Sequence, residues 1–379
     1  MCQERKLIVR AVTIDRSLDF VEPMLSYLKQ KYDVHLLSSP GDNIDEICAN
    51  YQIAGHRVEM ARRISLFKDI KSLFEIIQLF RKLNPYMVHS MTPKAGLLCM
   101  IAAWITRVPK RIHTFTGLVW PTSIGIKRIV LIITDWLTCA CATHIIPEGQ
   151  GVLNDLRQSI TKKPMRVLGF GNIKGVDLQM CSRRPEVMVK AAEIQNVDTF
   201  TFIFVGRLVG DKGINELVTS FGTLNEKYPD TRLLLVGRYE DNLDPLKSDT
   251  LETIKSNPSI EAVGPKYSDE LLAYYAASDC FVFPSYREGF PNTVLEAGAM
   301  ELPSIVTDIN GSREIICDGE NGLIVPPKDV NALYNAMEQI LINYDLRCSM
   351  ANNARPMIEA RFEQGFVQRC LFEYYDEVL

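Results

Sequence analysis

No CxxC pair occurs among the ten cysteines, and the nearest couple, Cys139 and Cys141, has the spacing of neither a zinc site nor a thioredoxin motif. That absence excludes a metal-ribbon scaffold and leaves reduced, mostly buried thiols. The opening MCQERKLIVR lacks the apolar run of a signal peptide, which implies a cytoplasmic address. Neither RNP-type aromatics nor an array of basic helices is present, so no nucleic-acid partner is expected. With 47% hydrophobic and 23% charged residues, the chain also lacks the composition of disordered or fibrous proteins.

What is present is length enough for two cores. The 379 residues suit two domains of roughly 150 to 200 residues each, expected over 1–165 and 166–355, with a terminal helix, 356–379, able to cross back to the first. Charge divides with them. Up to Met165, 22 Lys and Arg stand against 14 Asp and Glu, a net +8; the remainder holds 20 against 32, a net −12, giving the −4 of the whole chain. A basic first half suits an anionic diphosphate or an anionic membrane surface; chance segregation explains it equally well. The apolar run 124–146 has the length of a membrane span but is interrupted by Lys127, Arg128 and Asp135. It reads instead as a buried helix ending near Leu137, followed by a core strand at 143–146.

Short β-rich runs alternate with amphipathic stretches. Residues 7–12 predict a strand, 20–31 a helix and 34–38 a strand, the rhythm of a parallel sheet. Ile70, Leu73, Phe74, Ile77 and Phe80 recur at helical spacing within 69–83, ahead of a strand at 86–89 and a packed helix at 96–106. The second half restarts with strands at 200–205, 232–236, 260–263 and 280–284, separated by helices such as 215–227. Ser268 is expected to cap a helix whose first turn holds Asp269 and Glu270. The linker falls within 161–177, and the closing segment 329–379 is helical apart from an interruption at Pro356. The fold class is α/β, with two doubly wound sheets.

An open parallel sheet binds ligands at the carboxyl ends of its strands. The strand 200–205 runs into Gly206-Arg207-Leu208, which aims Arg207 at that end, and Lys212 follows just before Gly213. Two cations near a helix start suit a diphosphate; either alone would read as a surface turn. The strand 280–284 leads through Ser285, Glu288, Gly289, Phe290, Pro291, Asn292 and Thr293 into a helix at 294–300. Helix-start amides, a glycine that lets backbone approach a ligand, and the Thr293 hydroxyl form an anion-binding layout. Glu288 lies in the loop and Glu296 inside the helix, too far apart for one carboxylate pair. They suit two parts of an extended ligand: the reacting sugar for Glu288, and ribose hydroxyls for Glu296. A solvated helical glutamate is the alternative for Glu296.

The ordered set of Val205-Gly206-Arg207-Leu208, Lys212-Gly213, Pro284-Ser285 and Glu288-x7-Glu296, with Asp318-Gly319-Glu320-Asn321-Gly322 after it, resembles the retaining GT-B glycosyltransferases of group 1, family four. The resemblance implies two facing Rossmann-like domains around a cleft. It further implies a nucleotide-sugar donor, UDP-linked, clasped by Arg207, Lys212 and the backbone from Gly289 to Thr293 without metal or other cofactor. Retention would proceed by same-face attack, with Glu288 orienting the sugar and stabilising developing positive charge.

Three stretches of the first half resemble a narrower group, the bacterial transferases that extend lipid-linked saccharides for capsule, O-antigen or exopolysaccharide. They are the segment from Pro85 to Gly96, Phe115-Thr116-Gly117-Leu118, and Gly171-Asn172-Ile173-Lys174-Gly175-Val176-Asp177. The acceptor implied is a polyprenyl-diphosphate-linked saccharide, receiving a hexosyl or N-acetylhexosaminyl unit. Many of these relatives carry a catalytic-loop histidine where this chain places Thr116, with His113 three residues earlier; both are candidate catalytic groups of the first domain. His113, at the end of a strand 111–114, is expected at the cleft rim, with packing inside the strand as the alternative. His89 reads as structural.

Gly169, Gly171 and Gly175 are spaced GxGxxxG rather than as a dinucleotide fingerprint and read as linker. Arg62-Arg63, Lys68, Lys110-Arg111 and Lys127-Arg128, with Leu118, Val119 and Trp120 among them, suit peripheral contact with a membrane; a solvated basic face over a buried tryptophan is the alternative. A nucleotide-sugar epimerase and a non-catalytic nucleotide-sugar-binding subunit are the other functional classes compatible with these motifs.

Overall fold

The computed structural model describes residues 5–61, 65–240 and 244–379, so the Arg62-Arg63 pair lies outside the described residues. Two compact units form: Met1–Lys174 with Val367–Leu379, and Gly175–Phe366. The chain passes from one to the other inside the glycine-containing stretch that reads as linker.

The first unit is built on six strands: β1 (Leu7–Ala11), β2 (Asp33–Ser38), β3 (Ala54–Arg57), β4 (Met87–Met91), β5 (Lys110–Phe115) and β6 (His144–Pro147). They pair in parallel in the order β3-β2-β1-β4-β5-β6. Helices cover both faces, so successive residues of the central strands are apolar and buried. Val9, Ala11, Val88 and Phe115 pack to one side. Ile8, Met87, Ile112 and Ile146 pack to the other, against Leu371, Phe372 and Tyr375 of the terminal helix Gln364–Val378.

The second unit repeats the plan with β7 (Phe200–Val205), β8 (Thr231–Val236), β9 (Ile260–Gly264), β10 (Cys280–Phe283), β11 (Ser304–Thr307) and β12 (Gly322–Val325). Its order is β12-β11-β10-β7-β8-β9, again parallel. Each sheet reverses its winding beside its first strand, between β1 and β4 and between β7 and β10, and those are the points where such sheets hold ligands.

Three local expectations are corrected. Ser268 does not cap: it is the first residue of helix Ser268–Ala276, has a left-handed φ of 49°, and makes no capping bond. Asp269 behind it pairs with Arg184 at 2.6 Å instead. Pro356 does not interrupt its helix, which runs from Tyr344 to Phe362. Tertiary contacts carry it through: Arg355 Nη1 and Nη2 donate to the carbonyls of Cys181 and Leu178, each at 2.8 Å, and Ile358 fills the space that a side chain at Gly298 would need.

The third concerns the apolar run after Ile124. It forms helix Gly125–Cys141, but the helix is not buried on its isoleucines: Ile126, Ile129, Ile133 and Trp136 all face solvent. The packed side carries Thr138 and Cys139, with Arg128 set over the buried Trp120 ring at 5.8 Å. Of the charged interruptions, Lys127 and Arg128 are exposed and only Asp135 is withdrawn. Asp135 is partly buried, and desolvation pushes its carboxyl up to about 7, against a smaller lowering by Trp120. Its folded-state value exceeds the unfolded one near 3.8, so its stabilising contribution is complete below that value and is lost as pH rises through 7. Asp135→Asn is expected to remove a swing on the order of 3 kcal/mol, seen as a flatter melting temperature between pH 5 and pH 8. An unchanged profile would reject the assignment.

Candidate functional site

The carboxyl ends of β7 and β10 are neighbours because β10 returns to pair with β7 after β8 and β9 have left on the other side. One glycine makes that approach possible, and another the close contact between the turns after β7 and β8. Gly213 has φ 72°, and a side chain there would come within 2.1 Å of the Pro284 carbonyl oxygen. Gly237 has φ 155°, and a side chain there would come within 1.7 Å of the Gly206 oxygen. Neither position accommodates a Cβ without backbone movement.

Backbone and side chains then lock the turn after β7 to the loop after β10. Tyr286 N–H donates to the Asp211 carbonyl at 2.9 Å, Arg287 pairs with the Asp211 carboxylate at 2.9 Å, and the Tyr286 hydroxyl donates to Glu216 at 2.7 Å. Inside this frame Lys212 Nζ contacts Glu288 Oε1, and Ser285 Oγ donates to the same oxygen at 2.8 Å. Both ionic side chains are only about one-seventh exposed, 13% and 16%. Thr307 fixes Ser285 in turn through its carbonyl. Lys212 and Glu288, expected at different parts of a ligand, thus meet as one pair. Lys212 retains further donors, because an ammonium has three.

Arg207 stands beside this pair in sequence but is engaged elsewhere: its Nη1 donates to Glu240 at 2.9 Å, and Arg238 holds the other oxygen of Glu240 at 3.0 Å. Gly289 lies against Gly311, where a side chain would reach within 2.4 Å of the Gly289 oxygen. Phe290 is buried with its ring 5.3 Å from that of Phe362, so it anchors the loop. Pro291 serves as N-cap, and the helix begins at Asn292 rather than at Val294. Asn292 and Thr293 occupy its first turn, half-buried.

Glu296 is not a solvated helical residue. It is partly buried, and the hydroxyl of Tyr275 lies 3.4 Å from its Oε2 and 3.3 Å from the Thr293 carbonyl. Burial holds the Tyr275 hydroxyl well above its usual range, so it stays protonated and can donate. No motif marks Tyr275; its only sequence signal is its place on the inner side of helix Ser268–Ala276. Thr307, which donates to the Ser285 carbonyl, also became visible only once β10 and β11 were paired.

The first-unit candidates separate. His113 is 1% exposed on β5 and shares a 2.9 Å hydrogen bond with Ser90 Oγ. Its ring occupies the space over Gly96, where a side chain would come within 2.4 Å of Cε1. It is packed under helix Pro93–Ile105, not at a rim, because the alternation along β5 turns it toward the same layer as Phe115. Burial pushes it down to about 3, which leaves it neutral. Thr116 stands just beyond β5, half-buried beside Gly117. Trp120 and Leu118 are buried, and Arg111 is spent on the carbonyls of Cys141 and Val108 at 2.6 and 2.8 Å. Of the groups expected to form a membrane surface, these three are therefore withdrawn or engaged, while Lys68 and Lys127 are exposed.

His89 belongs to a buried network. Arg10 Nη1 donates to the Tyr375 hydroxyl at 3.0 Å, that hydroxyl contacts His89 Nδ1, and His89 Nε2 lies 2.7 Å from Thr114 Oγ1. Arg10 is fully buried and has no ion pair with a described residue. Tyr375→Phe would leave a guanidinium and an imidazole short of a partner. It is expected to cost about 1 to 3 kcal/mol in urea unfolding, and Arg10→Met in the same background is expected to recover part of that loss.

A cavity of about 780 Å³ opens at the other end of the first sheet, lined by Lys6, Lys29, Tyr32, Gln52 and Asn84 among others. It faces the starts of the strands, where doubly wound sheets do not place their ligands. Among the described residues no group of three or more His, Cys, Asp or Glu is placed to hold a metal ion.

Two doubly wound parallel sheets, the second with a lysine–glutamate pair and a helix start at its switch point, define a GT-B-type protein. The chain belongs to the group 1 glycosyltransferases. It is 34% identical over 375 residues to the capsular polysaccharide biosynthesis glycosyltransferase CapM of Staphylococcus aureus, covering 98% of this chain and 97% of that one. The family described as "Glycosyl transferases group 1" matches residues 189–357, a span that includes every donor-side candidate from Arg207 to Glu296, and "Glycosyl transferase 4-like" matches residues 12–129. The chain is 26% identical to an Escherichia coli UDP-Gal:alpha-D-GlcNAc-diphosphoundecaprenol alpha-1,3-galactosyltransferase, over 87% of this chain and 85% of the relative. The fold matches that of Anabaena HepE in complex with UDP and glucose, with a TM-score of 0.81 at 15% identity over 98% and 100% of the two chains.

Proposed function

We propose that the protein transfers a hexosyl or N-acetylhexosaminyl unit, with retention, from a UDP-sugar to a polyprenyl-diphosphate-linked saccharide. It would do so in capsule or related surface-polysaccharide synthesis, at the inner face of the cytoplasmic membrane. The observation that carries this reading is the largely buried Lys212–Glu288 pair at the switch point of the second sheet, beside the start of helix Asn292–Ala299. The names of the capsular and diphosphoundecaprenol-linked relatives support the acceptor class.

The donor diphosphate takes up Lys212 and Arg207, each exchanging a carboxylate partner for phosphate oxygens, and the first-turn residues of helix Asn292–Ala299 meet the same charge. No metal is required, because two cations balance the diphosphate. Glu296, set by Tyr275, accepts from ribose hydroxyls. The bond from the anomeric carbon to the diphosphate oxygen lengthens and breaks; the acceptor oxygen attacks the same face, and its proton passes to the departing diphosphate. Glu288, relieved of Lys212, orients the sugar and stabilises positive charge at the anomeric carbon. His113, buried and neutral, takes no part, which leaves Thr116 as the acceptor-side candidate.

A mass-spectrometric screen tests this reading. UDP-, GDP- and dTDP-sugars are offered to polyprenyl-diphosphate saccharides, with EDTA present and with acceptor-free controls. The expected product is the extended lipid-linked saccharide from a UDP-sugar, with an axial linkage by NMR and no change on adding EDTA. An inverted linkage would reject retention, and epimer formed without acceptor would favour an epimerase.

A further inference from the structure

Helix Gly125–Cys141 presents Ile126, Ile129, Ile133 and Trp136 at alternating spacings of three and four residues, one stripe along its length. Each is between 50 and 80% exposed, and Ile124 just ahead of the helix is more exposed still. Helix Leu66–Leu83 carries a second stripe, Leu66, Phe67, Ile70 and Phe74, between 58 and 90% exposed. Both helices pack on helix Pro93–Ile105 from its two sides. Single exposed apolar residues are ordinary, but stripes on two helices that flank a common third mark an interaction surface.

Charge decides the partner. Lys71, Arg81 and Lys82 are exposed along helix Leu66–Leu83, and Lys127 at the start of the other helix. Two of the three acidic groups on these helices are withdrawn: Asp69 pairs with Lys94 at 2.6 Å, nearly buried, and Asp135 is partly buried; the third, Glu75, is 41% exposed and lies 3.8 Å from Lys71. The first half of the chain carries the net +8 counted above. An isoleucine and aromatic ridge with basic flanks fits the boundary between headgroups and acyl chains of an anionic bilayer. The contact lies in the membrane plane, since no described helix is long and apolar enough to cross a bilayer.

We propose that these two stripes are the surface by which the first unit lies on an anionic phospholipid membrane, with Ile126, Ile129, Ile133 and Trp136 inserted among the headgroups. The inference rests on the reading that the acceptor is lipid-linked, and its test is separable from that reading because it uses vesicles without acceptor.

Full-length protein is sedimented with vesicles of phosphatidylcholine alone or mixed with phosphatidylglycerol. Binding is expected to be about tenfold stronger to the anionic vesicles, to weaken with salt, and to fall by a further factor of about ten in an Ile129→Ser, Ile133→Ser variant. The variant is expected to keep its melting temperature and its turnover of a short-chain, detergent-free acceptor. A blue shift of fluorescence on vesicle binding is expected to be lost in Trp136→Phe. Equal sedimentation of variant and wild type would overturn the proposal. So would failure to bind anionic vesicles, including the case in which the same substitutions instead dissolve a dimer seen by light scattering, which would assign the stripes to a second copy of the chain. Failure of transfer alongside intact vesicle binding would reject the acceptor reading and leave the surface standing.

Discussion

Glu288→Gln is expected to lower the turnover of sugar transfer by about a hundredfold to a thousandfold while leaving the fold intact. The amide keeps the shape of the carboxylate and still accepts from Ser285 Oγ, which lies 2.8 Å from Glu288 Oε1. What it removes is the negative charge opposite the developing charge on the anomeric carbon. It also removes the ion pair that occupies Lys212 in the donor-free protein, so UDP affinity is expected to be unchanged or tighter. The signature is therefore a split, with kcat falling and the UDP dissociation constant not rising. Steady-state kinetics beside calorimetric UDP binding reads both, and near-normal turnover of the purified variant would remove Glu288 from the mechanism.

Lys212→Met is expected to act on the other half of the pair and to damage two properties at once. It deletes a phosphate ligand, so UDP binding is expected to weaken by about ten- to a hundredfold, a charge-assisted bond or two. It also leaves the Glu288 carboxylate, 16% exposed, without its cation, at a cost of about 1 to 3 kcal/mol in unfolding free energy. Combining it with Glu288→Gln separates the effects: the stability loss is expected to be largely recovered, because no uncompensated charge remains, while transfer stays abolished. If the double variant were as unstable as Lys212→Met alone, the two side chains would not be coupled in solution.

The candidate site of the second unit was legible because its parts are local. Arg207 and Lys212 follow one strand, and Ser285, Glu288 and the helix start at Asn292 follow another, so spacing along the chain carries their placement. The βαβ rhythm was legible for a similar reason: buried parallel strands must be apolar, and their covering helices must be amphipathic. Three features were not. Glu296 was open to a solvated reading until Tyr275 met it from another helix. His113 had the look of a rim residue, yet alternation on β5 turns it under helix Pro93–Ile105, where Gly96 makes room. The isoleucines of helix Gly125–Cys141 read as core because three charges interrupt the run and argue against a membrane span, whereas Arg128 lies over Trp120, Asp135 is partly withdrawn, and the stripe faces outward.

The sequence by itself therefore determined two doubly wound sheets and a strand–loop–helix from Cys280 to Ala299, because hydrophobic period and glycine placement act within a few residues of where they stand. Only the tertiary structure decided that Lys212 and Glu288 share one oxygen's reach and that helix Gly125–Cys141 keeps its apolar stripe uncovered. The first depends on β10 returning to pair with β7, and the second on which side of the helix the Trp120 loop occupies. Both are long-range packing outcomes, and the local pattern of residues is the same whichever way they fall.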